Sequence, residues 1–496
     1  MSRATDSGRV EVEPWDLLVV GGGTAGIVAA KTAARLGARA VLAEEHRTGG
    51  DCLWTGCVPS KSLLAAADVA AAARGGGRFG IDVGEVRVDL ARVMDHVQSA
   101  IRHIEPHDSP ASIEEVGASV LEGRVRLTGP TSAEVRHPDG TSTPLRFRHA
   151  VLATGAAPAI PSIPGIEDVD VLTSDTVWDL RADPGRLVVL GGGAIGCELG
   201  QGFARLGVDV TVVEGADRLL PAEDPAAAAA VTRALVADGV DVRTGAAVER
   251  VRPAHGSGAG PGPGVLLLEG GAEVPFDRLL VAVGRRPRTD DLGLDAAGVQ
   301  VDDRGYVRVD DRLTTTNPRI RAAGDLTGHA QLTHVAGSHG SLAASNAVLG
   351  LRRRVDPVVP RVTYTQPEVA AVGVGTAGER DDIRVVRLPH LDVDRAVAEG
   401  RTDGFTALAL DGKGRLVGAT VVAPRAGEML AELTAAIRRG DRPRDLGGVI
   451  HPYPAWSDGP WNAALVEVRA QLEKPLPQRA TRALVRTRRW WSDRRA

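Results

Sequence analysis

Cysteine is scarce in this chain of 496 residues: only Cys52, Cys57 and Cys197 are present. Long apolar runs are missing too. No segment approaches the ~20 consecutive apolar residues that a membrane span needs, and no secretory signal is evident, so the expectation is a soluble, cytoplasmic protein. In that compartment a disulfide is usually catalytic rather than structural. An excess of charge of one sign is also absent. The formal net charge is −4, so nothing global argues for nucleic acid as a partner. The length exceeds what one core serves, and predicts about three units of ~100–200 residues.

Two of the three cysteines fall in Gly49-Gly50-Asp51-Cys52-Leu53-Trp54-Thr55-Gly56-Cys57-Val58-Pro59-Ser60-Lys61. We read the pair as a redox-active disulfide around which the rest of the chain is organised. The run from Pro59 to Ala72 is rich in Ala and Leu, which predicts a helix starting at or near Cys57. A thiol at a helix N-terminus meets the positive end of the macrodipole and the first-turn N–H groups, and both favour its thiolate. Lys61 lies one turn further along. Cys197 reads instead as a small buried packing residue.

Glycine is plentiful, at 60 residues, and two clusters carry information. The apolar run Asp16 to Val20 leads into Gly21-Gly22-Gly23-Thr24-Ala25-Gly26, then an Ala-rich helical stretch to Leu36, then a second apolar run, Ala38 to Ala43, ending at Glu44. In this strand–loop–helix–strand–acid order, Gly21 makes the turn and Gly23 lets the backbone approach a pyrophosphate at the helix N-terminus. Gly26 permits close packing, and Glu44 suits a ribose diol. The pattern recurs: Arg186 to Leu190 as strand, then Gly191-Gly192-Gly193-Ala194-Ile195-Gly196, a helix through Leu206, and a strand from Val208 to Val213 ending at Glu214. Two such units imply two dinucleotides, and passing an electron pair to a disulfide calls for a flavin and a nicotinamide. A carboxylate at Glu214 favours NADH over NADPH. Arg218, close in sequence, leaves NADPH open.

Other segments read as follows. His149 to Ile160 is an apolar strand with a turn at Thr154-Gly155. Pro253 to Gly264 is the tip of a hairpin. Leu279 to Val283 is a strand running into Gly284-Arg285-Arg286-Pro287, and Thr316 to Asp325 is a strand closed by Gly324 and Asp325. From Pro357 a separate α+β unit begins, with strands at Phe405 to Leu410 and Val417 to Val422 and a helix from Gly427 to Arg438. It ends in the rigid turn His451-Pro452-Tyr453-Pro454-Ala455-Trp456-Ser457-Asp458. Beyond Pro475 seven arginines face a single acid, Asp493, with Leu476, Ala483 and Trp490 repeating every seven residues. That segment reads either as a basic amphipathic helix for an anionic membrane surface or as a solvated tail.

The cysteine stretch, the two glycine loops, Ala153-Thr154-Gly155, Gly284-Arg285-Arg286-Pro287 and Ala323-Gly324-Asp325 stand in a fixed order that closely resembles class I pyridine nucleotide–disulfide oxidoreductases. That family contains dihydrolipoamide dehydrogenase, glutathione reductase and mercuric reductase. The resemblance covers roughly Trp15 to Arg469. It implies an α/β protein with two Rossmann-like domains, for FAD and NAD(P)H, and a C-terminal α+β dimerisation domain in a homodimer. The boundaries would be 14–157 and 287–356 for the FAD-binding part, 158–286 for NAD(P)H, 357–474 for dimerisation and 475–496 for the basic tail. It also implies roles. Cys57 would be the charge-transfer thiolate facing the flavin and Cys52 the interchange thiol. Lys61 and Glu198 would form an ion pair beside the flavin, and Asp325 would bind the ribityl chain. Gly50, Thr154, Gly155, Gly284, Arg285 and Gly324 would join the two glycine loops, Glu44 and Glu214 in holding the cofactors. No resident metal site is implied.

The cysteine stretch looks most like mercuric reductases and their relatives. The turn before the last family helix departs from the disulfide-reducing members, which carry a His and a Glu there as the base for thiol exchange. Here Tyr453 and Asp458 take those places, and tyrosine, with a reference pKa of ~10, is a poor proton acceptor. The cysteine pair with which mercuric reductases deliver metal has no counterpart in the tail either. The expectation is therefore an FAD enzyme passing electrons from NADH or NADPH through Cys52 and Cys57 to a small acceptor: a metal ion, a low-molecular-weight disulfide, or a quinone. The alternatives are dihydrolipoamide dehydrogenase and, from another class, a flavin-loaded scaffold acting at a membrane surface through its tail.

Overall fold

The computed structural model describes residues 13–254, 262–378, 380 and 382–495. The N-terminal run before Glu13 and most of the expected hairpin tip lie outside the described residues. The chain divides into two compact units. One comprises residues through Gly191 together with Gly202–Val210 and Val248–Asp356; the other comprises Gly192–Gln201, Thr211–Ala247 and the residues from Pro357 onward.

The first unit is built on β1 (Trp15–Val20), followed by α1 (Thr24–Arg35) and β2 (Ala40–Glu44). β1 pairs in parallel with β2 on one side and with Ser142–Leu152 on the other. The sheet continues through Ser119–Glu122 beyond β2, and Ile320–Ala322 also joins Ser142–Leu152 in parallel. Leu17 and Val19 pack into the apolar cluster that contains α1, whereas Leu18 and Val20 pack into a separate cluster on the opposite face. Burial on both faces explains why β1 is continuously apolar rather than alternating. A second parallel group, Arg186–Leu190, Arg278–Val281 and Val171–Thr173, belongs to the same unit, as does an antiparallel hairpin in which Val248–Pro253 pairs with Gly264–Leu268. The segment expected to be strand from Thr316 to Asp325 is strand only over Ile320–Ala322. Pro318 has no N–H to give a ladder, and the buried Asn317 side chain ties a turn by accepting the Arg319 N–H at 2.9 Å while its amide anchors the turn by donating to the Ala297 carbonyl at 2.8 Å.

In the second unit, residues 211–213 pair in parallel with Asp241–Arg243. The larger element is a five-stranded antiparallel sheet in the order Pro360–Thr363, Glu368–Gly373, Leu416–Ala423, Phe405–Asp411, Ile383–Pro389. One face is closed by the helices Ala426–Arg439 and Asp458–Leu472, whose Leu430, Leu433, Ala463 and Ala464 enter a common core with Leu408, Ala419 and Val421.

Candidate active site

After β2 come α2 (Gly50–Trp54) and then α3 (Cys57–Arg74). Gly50 has φ +58°, and a Cβ there would fall 2.6 Å from Cα of Gly23. The backbone leading into Cys52 therefore rests on the glycine loop that opens α1, an approach only glycine allows. Cys57 is the first residue of α3, as expected. The Cys52 and Cys57 thiols hydrogen-bond one another. The Thr333 hydroxyl lies 3.1 Å from Cys57 Sγ and also reaches Cys52. The bond to Cys57 and then burial push the Cys52 thiol well above its ordinary range. Cys57 stands at the N-terminus of α3, where the macrodipole and the first-turn N–H groups favour a thiolate. Lys61 sits half-buried one turn further along α3.

Asp51 ties this corner down. Its carboxylate is hydrogen-bonded to Arg285 and lies 3.3 Å from Arg288. Arg285, with a side chain only 14% exposed, also donates to the Ala156 carbonyl (2.5 Å) and approaches Asp325 at 3.8 Å. The segments after the two turns cross here, with Ala156–Pro158 pairing antiparallel with Arg285–Pro287 and Thr154 donating to the Arg288 carbonyl at 2.7 Å. Thr154, Gly155, Gly284, Arg285, Gly324 and Asp325 are thus brought together beside the cysteine stretch. Burial raises the carboxyl groups of Asp325 and of Asp175, which lies 3.8 Å from Arg288.

The two glycine loops are built alike. In the first, Glu44 accepts the N–H of Gly22 (2.5 Å) and of His46 (2.8 Å); in the second, Glu214 accepts those of Gly192 (2.6 Å) and Ala216 (2.7 Å). A Cβ at Gly21 or Gly191 would fall 2.6 Å from the carbonyl oxygen of Ala153 or Ala282. One at Gly26 would meet the Gly21 carbonyl, whereas one at Gly23 would meet only Gly50 at 3.8 Å, and one at Gly193 nothing within 4 Å. The tight positions hold each loop to its sheet and the open ones leave room above a helix N-terminus, where pyrophosphate oxygens meet N–H groups. These residues fit two dinucleotides, with Glu44 and Glu214 fixed by their own loops and keeping lone pairs for a ribose diol.

In the second unit, Glu198 is buried and accepts the N–H of Tyr364 at 2.9 Å. Cys197 is fully buried and donates to the Gly192 carbonyl at 3.3 Å; burial raises its thiol, in keeping with a packing residue. Tyr453 is 74% exposed and its hydroxyl donates to Asp394 at 2.6 Å. Asp458 is buried and caps its turn by accepting the Ala455 N–H at 3.0 Å. His451 Nε2 faces Glu432 at 2.9 Å and its Nδ1 faces the Val449 carbonyl at 3.1 Å.

Sequence reasoning missed Asp51, Thr333, Asp394 and Glu432. Asp51 carried a signal, being a carboxylate next to a reactive cysteine. The others are paired over separations that leave no local pattern. Among the described residues no group of three or more His, Cys, Asp or Glu stands together to hold a metal ion, and no helix is long and apolar enough to cross a membrane.

Comparison with known proteins matches residues 15–340 to the pyridine nucleotide-disulphide oxidoreductase family and residues 359–464 to the dimerisation domain of that family. The chain is 35% identical over 452 residues to a mercuric reductase of Bacillus cereus, covering 90% of this chain and 70% of that one. It is 33% identical over 470 residues to a dihydrolipoyl dehydrogenase of Chlamydia muridarum, covering 93% and 99%. Its fold is similar to the Cu(II) complex of the HOCl-induced flavoprotein disulfide reductase RclA from Escherichia coli, with a TM-score of 0.81 at 28% identity over 92% of this chain and 100% of that one. With both cofactor loops, the cysteine stretch and the dimerisation domain in place, the chain belongs to the pyridine nucleotide–disulphide oxidoreductase family, as an FAD-dependent, NAD(P)H-dependent homodimeric enzyme.

Proposed function

We propose that this enzyme passes electrons from NADH through Cys52 and Cys57 to a thiophilic metal ion rather than to lipoamide. The observation that carries the reading is Tyr453. Its hydroxyl donates to Asp394, which pushes it above the ordinary tyrosine range. At neutral pH it is an acid with its proton already committed, and thiol–disulfide exchange needs a base. His451 is a poor substitute, because both ring nitrogens already face acceptors. A soft ion asks for two sulfur donors and no such base. Cys52 and Cys57 supply them, and the ion displaces the proton that Cys52 otherwise keeps. Bound FAD supplies two-electron transfer from the nicotinamide. Relatives named mercuric reductase and a copper-bound structural neighbour support a metal acceptor. The preference for NADH rests on Glu214, and on Arg218 being drawn to the Pro221 carbonyl (2.9 Å) and Asp217 (3.5 Å).

The test is steady-state NADH oxidation by the purified holoenzyme with Hg(II), Cu(II) or lipoamide. We expect metal-dependent turnover that Cys52→Ser abolishes, with kcat/KM for lipoamide lower by at least ~100-fold, the scale of a missing general base. Efficient lipoamide turnover would make the enzyme a dihydrolipoyl dehydrogenase and end this reading.

A further inference from the structure

The helix Pro475–Asp493 has no buried residue. Leu476 and Leu484 are 77% and 69% exposed, and Trp490 and Trp491 are half-exposed. At about 100° per residue, Leu476, Ala480, Ala483, Leu484, Trp490 and Trp491 fall on one stripe about 120° wide. Arg479 and Arg486 border one edge, Arg488 the other, and Arg482 and Arg489 lie behind. At the end of the stripe Arg494 lies over the Trp490 ring, 3.9 Å from its centroid, and Arg495 over Trp491 at 5.4 Å.

From this arrangement we propose that the helix docks the enzyme on an anionic lipid surface. The apolar stripe would sink to the acyl boundary, with the tryptophans at headgroup level and the bordering arginines on lipid phosphates. Two other occupants fit the helix less well. A second copy could use the seven-residue repeat of Leu476, Ala483 and Trp490, but Arg479 and Arg486 line one edge of that seam and Arg494 falls on it, so pairing would bury positive charge without a counter-charge. A nucleic acid would satisfy the arginines and leave the leucines and tryptophans without a partner. Within a chain whose formal net charge is −4, seven arginines against one acid between 475 and 495 concentrate the positive charge where the apolar stripe is.

Flotation of the purified holoenzyme tests this, with vesicles of phosphatidylcholine alone or containing about one third phosphatidylglycerol. At least about tenfold more protein should float with the anionic vesicles at low salt, and raised salt should release it. Deleting residues 475–496, or the double change Trp490→Ser and Trp491→Ser, should remove this binding while NADH oxidation persists. The idea is overturned if the deletion floats as well as the full chain, or if no vesicle is bound. It is equally overturned if duplex DNA is retained instead, with the tryptophan change making no difference.

Discussion

Cys52 and Cys57 are chemically identical and differ in what surrounds them. Cys57 opens a helix of 18 residues, while Cys52 hydrogen-bonds its partner and follows a carboxylate that two arginines hold. Asp51 neutralises those arginines at a side-chain exposure of 30% and fixes the entry to Cys52. Removing one member of a poorly exposed ion pair leaves the other charge without its counterpart. Asp51→Asn should therefore cost about 2 kcal/mol of stability, read as a lowered urea midpoint; an unchanged midpoint would show that the arginines find other partners at no cost. Tyr453 offers the complementary experiment. Tyr453→His puts a ring with a reference pKa of ~6.5 where the phenol is now. If the missing base is what limits thiol–disulfide exchange, lipoamide turnover should rise ~100-fold in this variant, at the lower end of what general-base catalysis supplies. Unchanged turnover would place the block elsewhere.

At the level of elements, what could be read in advance was whatever the chain writes contiguously. Arg186–Leu190 has the expected bounds, β1, α1 and β2 follow one another as the glycine pattern requires, and α3 starts at Cys57. Each is specified by neighbours a few residues away. The strand expected from Thr316 to Asp325 came out as Ile320–Ala322 alone, because Pro318 has no N–H for the ladder and the Asn317 side chain accepts the Arg319 N–H in place of a neighbouring strand. The site's cross-links were illegible for a related reason: Asp51 meets Arg285 across 234 positions and Cys57 meets Thr333 across 276. No spacing rule reaches that far. The contact of α2 with the first glycine loop belongs to this scale too. In Gly50→Ala the methyl group would collide with Cα of Gly23 at a backbone angle that disfavours side chains. The redox helix and the loop should separate, and the purified variant should carry less than about half the flavin absorbance per protein, since overpacking of this kind costs ~1–3 kcal/mol. Full flavin content would mean that the loop tolerates the shift.

The whole molecule carries a pH dependence that neither cofactor loop explains. His390 is fully buried; its Nε2 lies 2.9 Å from the Thr406 hydroxyl, its Nδ1 has no hydrogen-bond partner, and Trp456 stands 6.0 Å away. Burial lowers its pKa to about 4. The unfolded chain takes up this proton near pH 6.5, whereas the folded chain resists it until about pH 4. Between those values unfolding binds a proton, so falling pH favours the unfolded state, and the contribution present at neutral pH is lost progressively over that window. The depression corresponds to about 3 kcal/mol. Asp325 and Asp175, raised by burial, act in the opposite sense, from the upper edge of the carboxylate range downward. Urea midpoints at fixed protein concentration, so that dimer mass action is constant, should fall between pH 7 and pH 4.5. His390→Gln keeps a partner for Thr406 and cannot ionise. It should lower the midpoint at pH 7 yet flatten its slope toward acid, because the proton that unfolding takes up is gone; an unchanged slope would assign the acid sensitivity to other groups.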